Sequence, residues 1–197
     1  MSHYRTRWYA LCVARSSALQ DHIAAAILDQ AAKVFADHQE NASLADIALV
    51  AGVARSTLYR YFPNRDALVQ ALAERALREL QVRIQEAELD TLPVPEAIAR
   101  ITRGFIATGS KYVALVYLWA KPTESAEPEI NEPLLRLFDR GIKDGSIRKD
   151  LQARAVLGIY GDIIRGAILR AAKDDNGVEQ ASAAVLDIFL KGILAIV

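Results

Sequence analysis

The sequence predicts an all-α protein. Glycine and proline are sparse, with 10 and 6 among 197 residues. No stretch alternates apolar and polar residues for long enough to form a strand, whereas apolar residues recur with the period of a helix. Hydrophobic residues make up 52% and charged residues 24% of the chain, a composition typical of a globular protein with a sizeable core.

The first two helices are predicted from an apolar stripe and a cap. A helix at about Ala18–His38 carries apolar residues at helical spacing, among them Ile27 and Phe35. Ser43 is expected to cap the second helix, because Asp46 stands where a capping box needs an acceptor. The sequence therefore predicts that a short polar segment connects the first helix to the second.

Glycine and proline mark the boundaries of the next two helices. Gly52 ends the second helix, since glycine accepts the left-handed backbone of a helix terminus. A third helix is predicted at about Ala54–Tyr61, because Pro63 disfavours helical geometry at Phe62. Asn64 is expected to cap a long fourth helix.

The remaining sequence repeats the helical pattern after a break at Pro93 and Pro95. Residues 121–133 form a connector rich in proline and glutamate, and residues 145–151 form another. Five further helices are predicted at Glu96–Gly109, Ser110–Lys121, Pro128–Asp144, Ala153–Lys173 and Val178–Ile196.

The second and third helices, joined through Gly52 and Val53, match a helix-turn-helix. If Leu58 and Phe62 face inward, the other side chains of the third helix face outward. These are Arg55, Ser56, Thr57, Tyr59 and Arg60. Arginine pairs bidentately with guanine, and hydroxyls bond phosphates or base edges. Formal net charge is zero, so the acid-free stretch 52–65 supplies the local positive patch that DNA binding needs.

The run from Ala48 to Leu68 resembles the signature of the TetR (tetracycline-repressor) family. The glycine–valine turn, the Leu58–Tyr59 pair and the Asn64–Arg65–Asp66 cap fall in the family's order. The resemblance is specific over Ile27–Leu72 and extends to the remainder only in layout. The chain departs from the pattern after the first helix, where Gln39 replaces a frequent glycine, and before the third, where Ala54 replaces a frequent serine.

The resemblance implies an all-α homodimer, usually a repressor, in which the fourth helix joins a small DNA-binding domain to a larger ligand-binding domain. The corresponding ranges are 18–65 and 66–197, preceded by an N-terminal extension at 1–17. The extension is either a basic arm for the minor groove or a loose segment, and the second interpretation is favoured. By position, the expected DNA contacts are Arg55, Ser56, Thr57, Tyr59, Arg60 and Tyr61, with Ser43 and Arg65 holding phosphates. For Tyr61, core packing is an equal alternative.

Aromatic residues in the second half of the chain are candidates for a mostly apolar ligand pocket. Tyr112, Val116 and Trp119 share one face of a predicted helix. The candidate set is Phe105, Tyr112, Val116, Trp119 and Tyr160. Ordinary core packing is an equally good interpretation of any one of them.

The last two helices are apolar around most of their circumference, so each should be buried on more than one side. A second copy of the chain is the simplest partner. The expected interface residues are Leu157, Gly161, Ile164, Ile168, Val185, Phe189 and Gly192. Two recognition helices would then meet successive major grooves roughly 34 Å apart, which predicts a palindromic operator.

The sequence thus predicts a cytoplasmic, homodimeric DNA-binding regulator, a repressor released by a small, mostly apolar ligand. Control by a protein partner, or by no effector, is one alternative, and a helical enzyme is another. An enzyme is disfavoured because His3, His22 and His38 form no metal-spaced set with carboxylates. No cofactor or metal is expected. No membrane partner is expected either, since no apolar run reaches the roughly 20 residues that span a bilayer.

Overall fold

The computed structural model describes residues 3–38, 42–117, 127–173 and 177–194, with side chains described from residue 20 onward except at 38, 117 and 127. Within these ranges the secondary-structure elements are helices. The only β-type pairing described there is an isolated bridge between Ile147 and Leu194. The helices are α1 (His3–His38), α2 (Leu44–Val50), α3 (Arg55–Tyr61), α4 (Arg65–Glu86), α5 (Val94–Lys111), α6 (Val113–Tyr117), α7 (Glu127–Asp144), α8 (Ala153–Ala171) and α9 (Gly177–Ile193). The predicted all-α fold is confirmed.

Helix α1 is longer than the sequence pattern suggested. It begins at His3 rather than near Ala18. The intervening segment contains neither glycine nor proline, so nothing in its backbone chemistry interrupts a helix. A helical backbone therefore replaces the loose segment expected before Ala18.

The break between α5 and α6 falls at Tyr112 rather than at Gly109. Tyr112 leaves helical geometry with φ −110° and ψ 27°. Gly109 stays helical, and its lack of a side chain lets α5 approach α8: a Cβ there would lie 2.2 Å from Cδ1 of Ile168. This glycine serves close packing, and its interpretation as a helix end is wrong.

The chain divides into two compact units, Met1–Ala71 and Leu72–Val197. The core of the first unit draws on α1, α2, α3 and the start of α4. Its fully buried side chains include Ile27, Phe35, Ile47, Leu58 and Leu68. Because α4 begins in the first unit and continues into the second, its backbone links the two covalently.

The core of the second unit centres on three aromatic rings. Tyr160 lies 5.7 Å from Phe138 and 5.1 Å from Phe189 between ring centroids. Its buried hydroxyl pairs with Oγ1 of Thr102 at 2.9 Å, so a polar group inside the core is satisfied. Burial raises the pKa of Tyr160, which keeps the phenol neutral.

The connector between α7 and α8 is fastened to the end of α9. Gly145 ends α7 in the left-handed region, with φ +84°. The backbone N–H of Arg148 donates to the carbonyl of Ile193 at 2.9 Å, and its guanidinium donates to that of Gly192 at 3.2 Å. The last turn of α9 is therefore held by a residue far earlier in the chain.

Neither a membrane-crossing helix nor a metal cluster occurs in the part of the chain that the structure describes. Its helices are too short or too polar to cross a bilayer. No three or more of its histidine, cysteine, aspartate and glutamate side chains come together as metal ligands would.

Candidate nucleic-acid interface

The turn between α2 and α3 is built around Gly52. Its φ of +67° is a left-handed conformation that favours glycine. The N–H of Gly52 donates to the carbonyl of Leu49 at 3.1 Å, and that of Val53 donates to Ala48 at 3.0 Å. These two bonds form a Schellman motif, which satisfies the carbonyls at the end of α2 and sets the start of α3.

One face of α3 packs inward and the other is open. Leu58 is fully buried and Phe62, just after the helix, is buried as well, so their predicted inward orientation is confirmed. Thr57 and Tyr61 are half-buried. The exposed side chains are Arg55, Ser56, Tyr59 and Arg60. The open face thus presents two guanidinium groups and two hydroxyl groups.

The ring of Tyr61 contacts the guanidinium group of neighbouring Arg60. The Cζ atom of Arg60 lies 5.3 Å from the centroid of the Tyr61 ring, within the range of a cation–π contact. The same ring stands 6.5 Å from that of Phe62. Tyr61 therefore packs on one side and supports an exposed cation on the other, which combines features of both interpretations of this residue.

The first turn of α3 has the backbone of a capped helix without a capping side chain. Ala54 adopts φ −65° and ψ 145°, and its side chain accepts no hydrogen bond. Its carbonyl accepts from the N–H groups of Thr57 and Leu58 at 2.9 and 3.1 Å. The helix therefore depends on packing and on its backbone for a fixed start.

Ser43 caps α2 as predicted. Its hydroxyl accepts from the N–H of Asp46 at 3.1 Å, while the Asp46 carboxylate accepts from the N–H of Ser43 at 3.2 Å. The Ser43 hydroxyl also donates to that carboxylate at 2.5 Å. A phosphate at Ser43 would have to compete with an acid that already occupies these donors.

The start of α4 places Arg65 beside the first unit's core. Asn64 caps the helix as predicted, with Oδ1 accepting from the N–H of Ala67 at 2.8 Å. The Cζ atom of half-buried Arg65 lies 5.1 Å from the centroid of the Phe35 ring. Arg65 is thus held against α1, unlike the exposed Arg55 and Arg60.

The predicted ligand residues occupy different environments in the second unit. Phe105 and Tyr160 are buried in the core, and Val116 is half-buried on α6. Trp119 lies outside the described residues. The structure thus separates two core residues from Val116, which stands nearer the surface.

Tyr112 has a polar partner that no local pattern predicts. Its ring is buried, and its hydroxyl donates to Oε1 of Glu79 on α4 at 2.6 Å. Lys111 donates to the same oxygen at 2.8 Å. Glu79 and Lys111 are 32 positions apart, so no local pattern connects them.

The predicted interface residues on α8 and α9 fall into three groups. Ile164, Val185 and Phe189 belong to the second unit's own core, and Leu157 and Ile168 are half-buried against it. Gly161 and Gly192 are exposed. Only the two glycines therefore lie openly on the surface of the chain.

Two isoleucines outside the predicted set are the large apolar residues that are exposed on the described parts of these helices. Ile159 on α8 is 59% exposed and Ile188 on α9 is 70% exposed. Apolarity marked both helices as buried on several sides, but it could not tell which residues face the chain's own core. Helical spacing gave no signal of this exposure, because Ile188 lies three residues from buried Val185 and should share its face.

A helix-turn-helix with an exposed cationic face, attached to a second helical unit, defines a DNA-binding regulator. Residues 27–72 match the family described as bacterial regulatory proteins, tetR family. Over 178 residues the chain is 30% identical to the HTH-type transcriptional repressor LfrR of Mycolicibacterium smegmatis, which covers 87% of this chain and 90% of LfrR. The chain therefore belongs to the TetR family of DNA-binding transcriptional regulators, and the predicted family is confirmed.

Further relatives and solved structures agree with this assignment. The chain is 27% identical over 158 residues to the HTH-type transcriptional regulator NfxB of Pseudomonas aeruginosa, covering 77% of this chain and 84% of NfxB. The crystal structure of LfrR in complex with proflavine has a TM-score of 0.70 at 25% identity, over 90% of this chain and 99% of that one. The regulator SCO0520 of Streptomyces coelicolor has a TM-score of 0.61 at 29% identity, over 88% and 99%.

Proposed function

We propose that this protein is a homodimeric repressor that binds a palindromic operator and leaves it when a small, mostly apolar ligand binds. The observation that carries the proposal is the open face of α3. Arg55 and Arg60 are exposed there on a helix whose opposite side is fixed by buried Leu58. A short helix fixed in this way can enter the major groove with its guanidinium groups toward the bases.

The first test is selection of bound sequences from random duplex DNA, followed by replacement of both arginines. We expect Arg55→Ala/Arg60→Ala to weaken binding to the selected duplex by about 10- to 100-fold, because each guanidinium that reads a base contributes to discrimination. Arg136→Ala/Arg154→Ala removes the same charge from two exposed sites on α7 and α8 and serves as the control. Fluorescence anisotropy of labelled duplex measures both, and equal affinities for the two variants would refute the assigned surface.

The dimer is supported by the outer face of α8 and α9. Ile159 and Ile188 are large apolar side chains left exposed on this face. A groove of about 510 Å³ lies between the two helices and is lined by Ile163, Ala184 and Ile188 among others. An apolar surface of this kind, on the final helices of a homodimeric family, fits a second copy of the chain.

Glycines on the same face support a closely packed partner. A Cβ atom at Gly158, Gly161, Gly166 or Gly192 would meet nothing within 4 Å. Glycine inside a helix costs roughly 0.5–1 kcal/mol relative to alanine. Packing within one chain therefore gives no reason for glycine at these positions, whereas the close approach of a partner helix does.

Ligand control is supported by the relative LfrR and by the surroundings of α6. The LfrR structure contains proflavine, so a protein 30% identical to this chain binds a small molecule. Val116 and the buried ring of Tyr112 offer apolar surface in the second unit. Proflavine is therefore the first probe to titrate into the complex with the selected duplex. Release of the duplex supports ligand control, and retention with proflavine bound contradicts it for this class of ligand.

A further inference from the structure

Glu79 on α4 accepts hydrogen bonds from two residues at the joint between α5 and α6. Its Oε1 accepts from the Tyr112 hydroxyl at 2.6 Å and from the Lys111 ammonium at 2.8 Å. Nε of Arg75, one turn earlier on α4, lies 3.7 Å from the same oxygen. We call Arg75, Glu79, Lys111 and Tyr112 the Glu79 cluster.

The α5–α6 side of the Glu79 cluster is well fixed. Tyr112 is the residue at which α5 ends, and it is only 4% exposed. The Nζ atom of Lys111 lies 5.0 Å from the centroid of the Tyr112 ring. A buried phenol needs a hydrogen-bond partner, and Glu79 provides it. Displacing this ring would therefore cost the bond to α4.

The Glu79 cluster differs from the other ion pairs between helices of the second unit. Arg103 of α5 pairs with Glu179 of α9, but both side chains are about 60% exposed, at 63% and 58%. The Glu79 side chain is 33% exposed, and one of its partners is a buried phenol. Water competes less for the hydrogen bond between Glu79 and Tyr112 than for the exposed pair of Arg103 and Glu179. The Glu79 bond therefore keeps its geometry better.

The charge states agree with this geometry. Burial alone would raise the pKa of Glu79, but the hydrogen bonds from Lys111 and Tyr112, with the charges of Lys111 and Arg75, lower it below 4.5. Burial and the bond to Glu79 raise the pKa of Tyr112. At neutral pH the carboxylate is ionised and the phenol retains its proton, as the hydrogen bond requires.

We propose that Glu79 is a positioning residue that ties α4 to the α5–α6 joint and thereby sets the affinity of the DNA-binding unit for its operator. The inference rests on the proposed function. Helix α4 is continuous from Arg65 to Glu86, so a restraint at Glu79 acts on the same helix that begins beside α3. Loss of the restraint gives α4 more conformations, and fewer of them match the operator, so DNA affinity falls. A ligand that moves Tyr112 would have the same effect.

The test replaces Glu79 by glutamine in the full chain, which keeps the shape of the side chain and removes its charge. With the selected duplex as probe, we expect E79Q to lower DNA affinity by about 5- to 20-fold, a coupling within the range typical of linked sites. We expect Tyr112→Phe, which removes only the hydroxyl, to lower affinity in the same direction. E79Q removes the charge of the acceptor and Tyr112→Phe removes one of its donors, so both weaken the same contact and the double variant should lose less than the sum of the single effects.

Glu179→Gln is the matched control, since it neutralises an inter-helix pair that does not involve α4. We expect it to leave DNA affinity within about twofold of the original chain, because exposed pairs contribute little. Urea unfolding of each variant separates a positioning role from a general loss of stability. The inference is overturned if folded E79Q binds the duplex as well as E179Q does. If the unsubstituted chain binds no duplex at all, the proposed function fails instead.

Discussion

Gly52 fixes the geometry of the DNA-reading turn through one backbone angle. Its φ of +67° belongs to the left-handed region, and a Cβ atom there would meet nothing within 4 Å. Any penalty for a side chain at this position is therefore a backbone penalty and not a steric clash. Local signals of this kind are readable in sequence, and the caps at Ser43 and Asn64 were predicted in the same way.

Replacing Gly52 should thus destabilise the protein according to the tolerance of the new residue for positive φ. We expect Gly52→Ala to lower the free energy of unfolding by about 1 kcal/mol. Gly52→Asn should cost less, because asparagine enters the left-handed region more readily than alanine. Urea unfolding monitored by circular dichroism measures both. Equal losses for the two variants would show that the backbone angle is not the cause.

Contacts between distant residues account for what the sequence did not predict at this scale. Nothing in the sequence around Glu79 indicates its partners, because Lys111 and Tyr112 lie at the end of α5, more than 30 residues away. Exposure on α8 and α9 was likewise decided by packing. Phe189 entered the aromatic core while Ile188, its neighbour in sequence, remained on the surface.

Helix ends were predicted where local chemistry sets them and missed where packing does. Pro63 and Asn64 placed the end of α3 and the start of α4 correctly, within a residue. The end of α5 was expected at Gly109, yet the helix runs on to Lys111, and the glycine instead leaves room for Ile168 of α8. A glycine that ends a helix and a glycine that allows close helix packing look alike in the sequence, and only the tertiary structure distinguishes them.

Helix α3 offers an opportunity to add a missing cap. The backbone of Ala54 already has the extended geometry of an N-cap residue, but alanine supplies no acceptor. We expect Ala54→Ser to raise the free energy of unfolding by about 0.5–2 kcal/mol, since serine can accept from an open N–H of the first turn. Ala54→Val, which adds bulk without an acceptor, is the control. Thermal unfolding compares them, and equal melting temperatures would exclude capping as the explanation.

At the scale of the whole molecule, the chain combines a DNA-binding unit with exposed large apolar side chains on its last two helices. The sequence predicted both parts, because the helix-turn-helix has a specific local pattern and the last two helices are too apolar for one buried side. It did not predict that Ile164, Val185 and Phe189 face the chain's own core, since burial depends on how α5, α8 and α9 pack together. Ile159 and Ile188 are the large apolar residues that remain exposed on the described parts of α8 and α9.

Ile188 should therefore control association more than folding. We expect Ile188→Gln to raise the dissociation constant of the dimer by about tenfold or more, because an isoleucine is lost from each copy and burying such a side chain contributes about 1.5–3 kcal/mol. Leu49→Gln is the control, since Leu49 is 81% exposed on α2, a helix of the first unit. Analytical ultracentrifugation measures the constant. An unchanged dimer in I188Q would place the interface elsewhere.

The fastening of α9 by Arg148 has a consequence for the order of events during translation. The second unit needs the carbonyls of Gly192 and Ile193 to complete its hydrogen bonds, and its core includes Phe189. It can close only after residues 189–193 have been synthesised. The first unit ends at Ala71 and can fold while the ribosome is still adding later helices, as N-terminal domains generally do. A newly made chain would therefore acquire its DNA-binding unit well before the surface through which we propose that it dimerises.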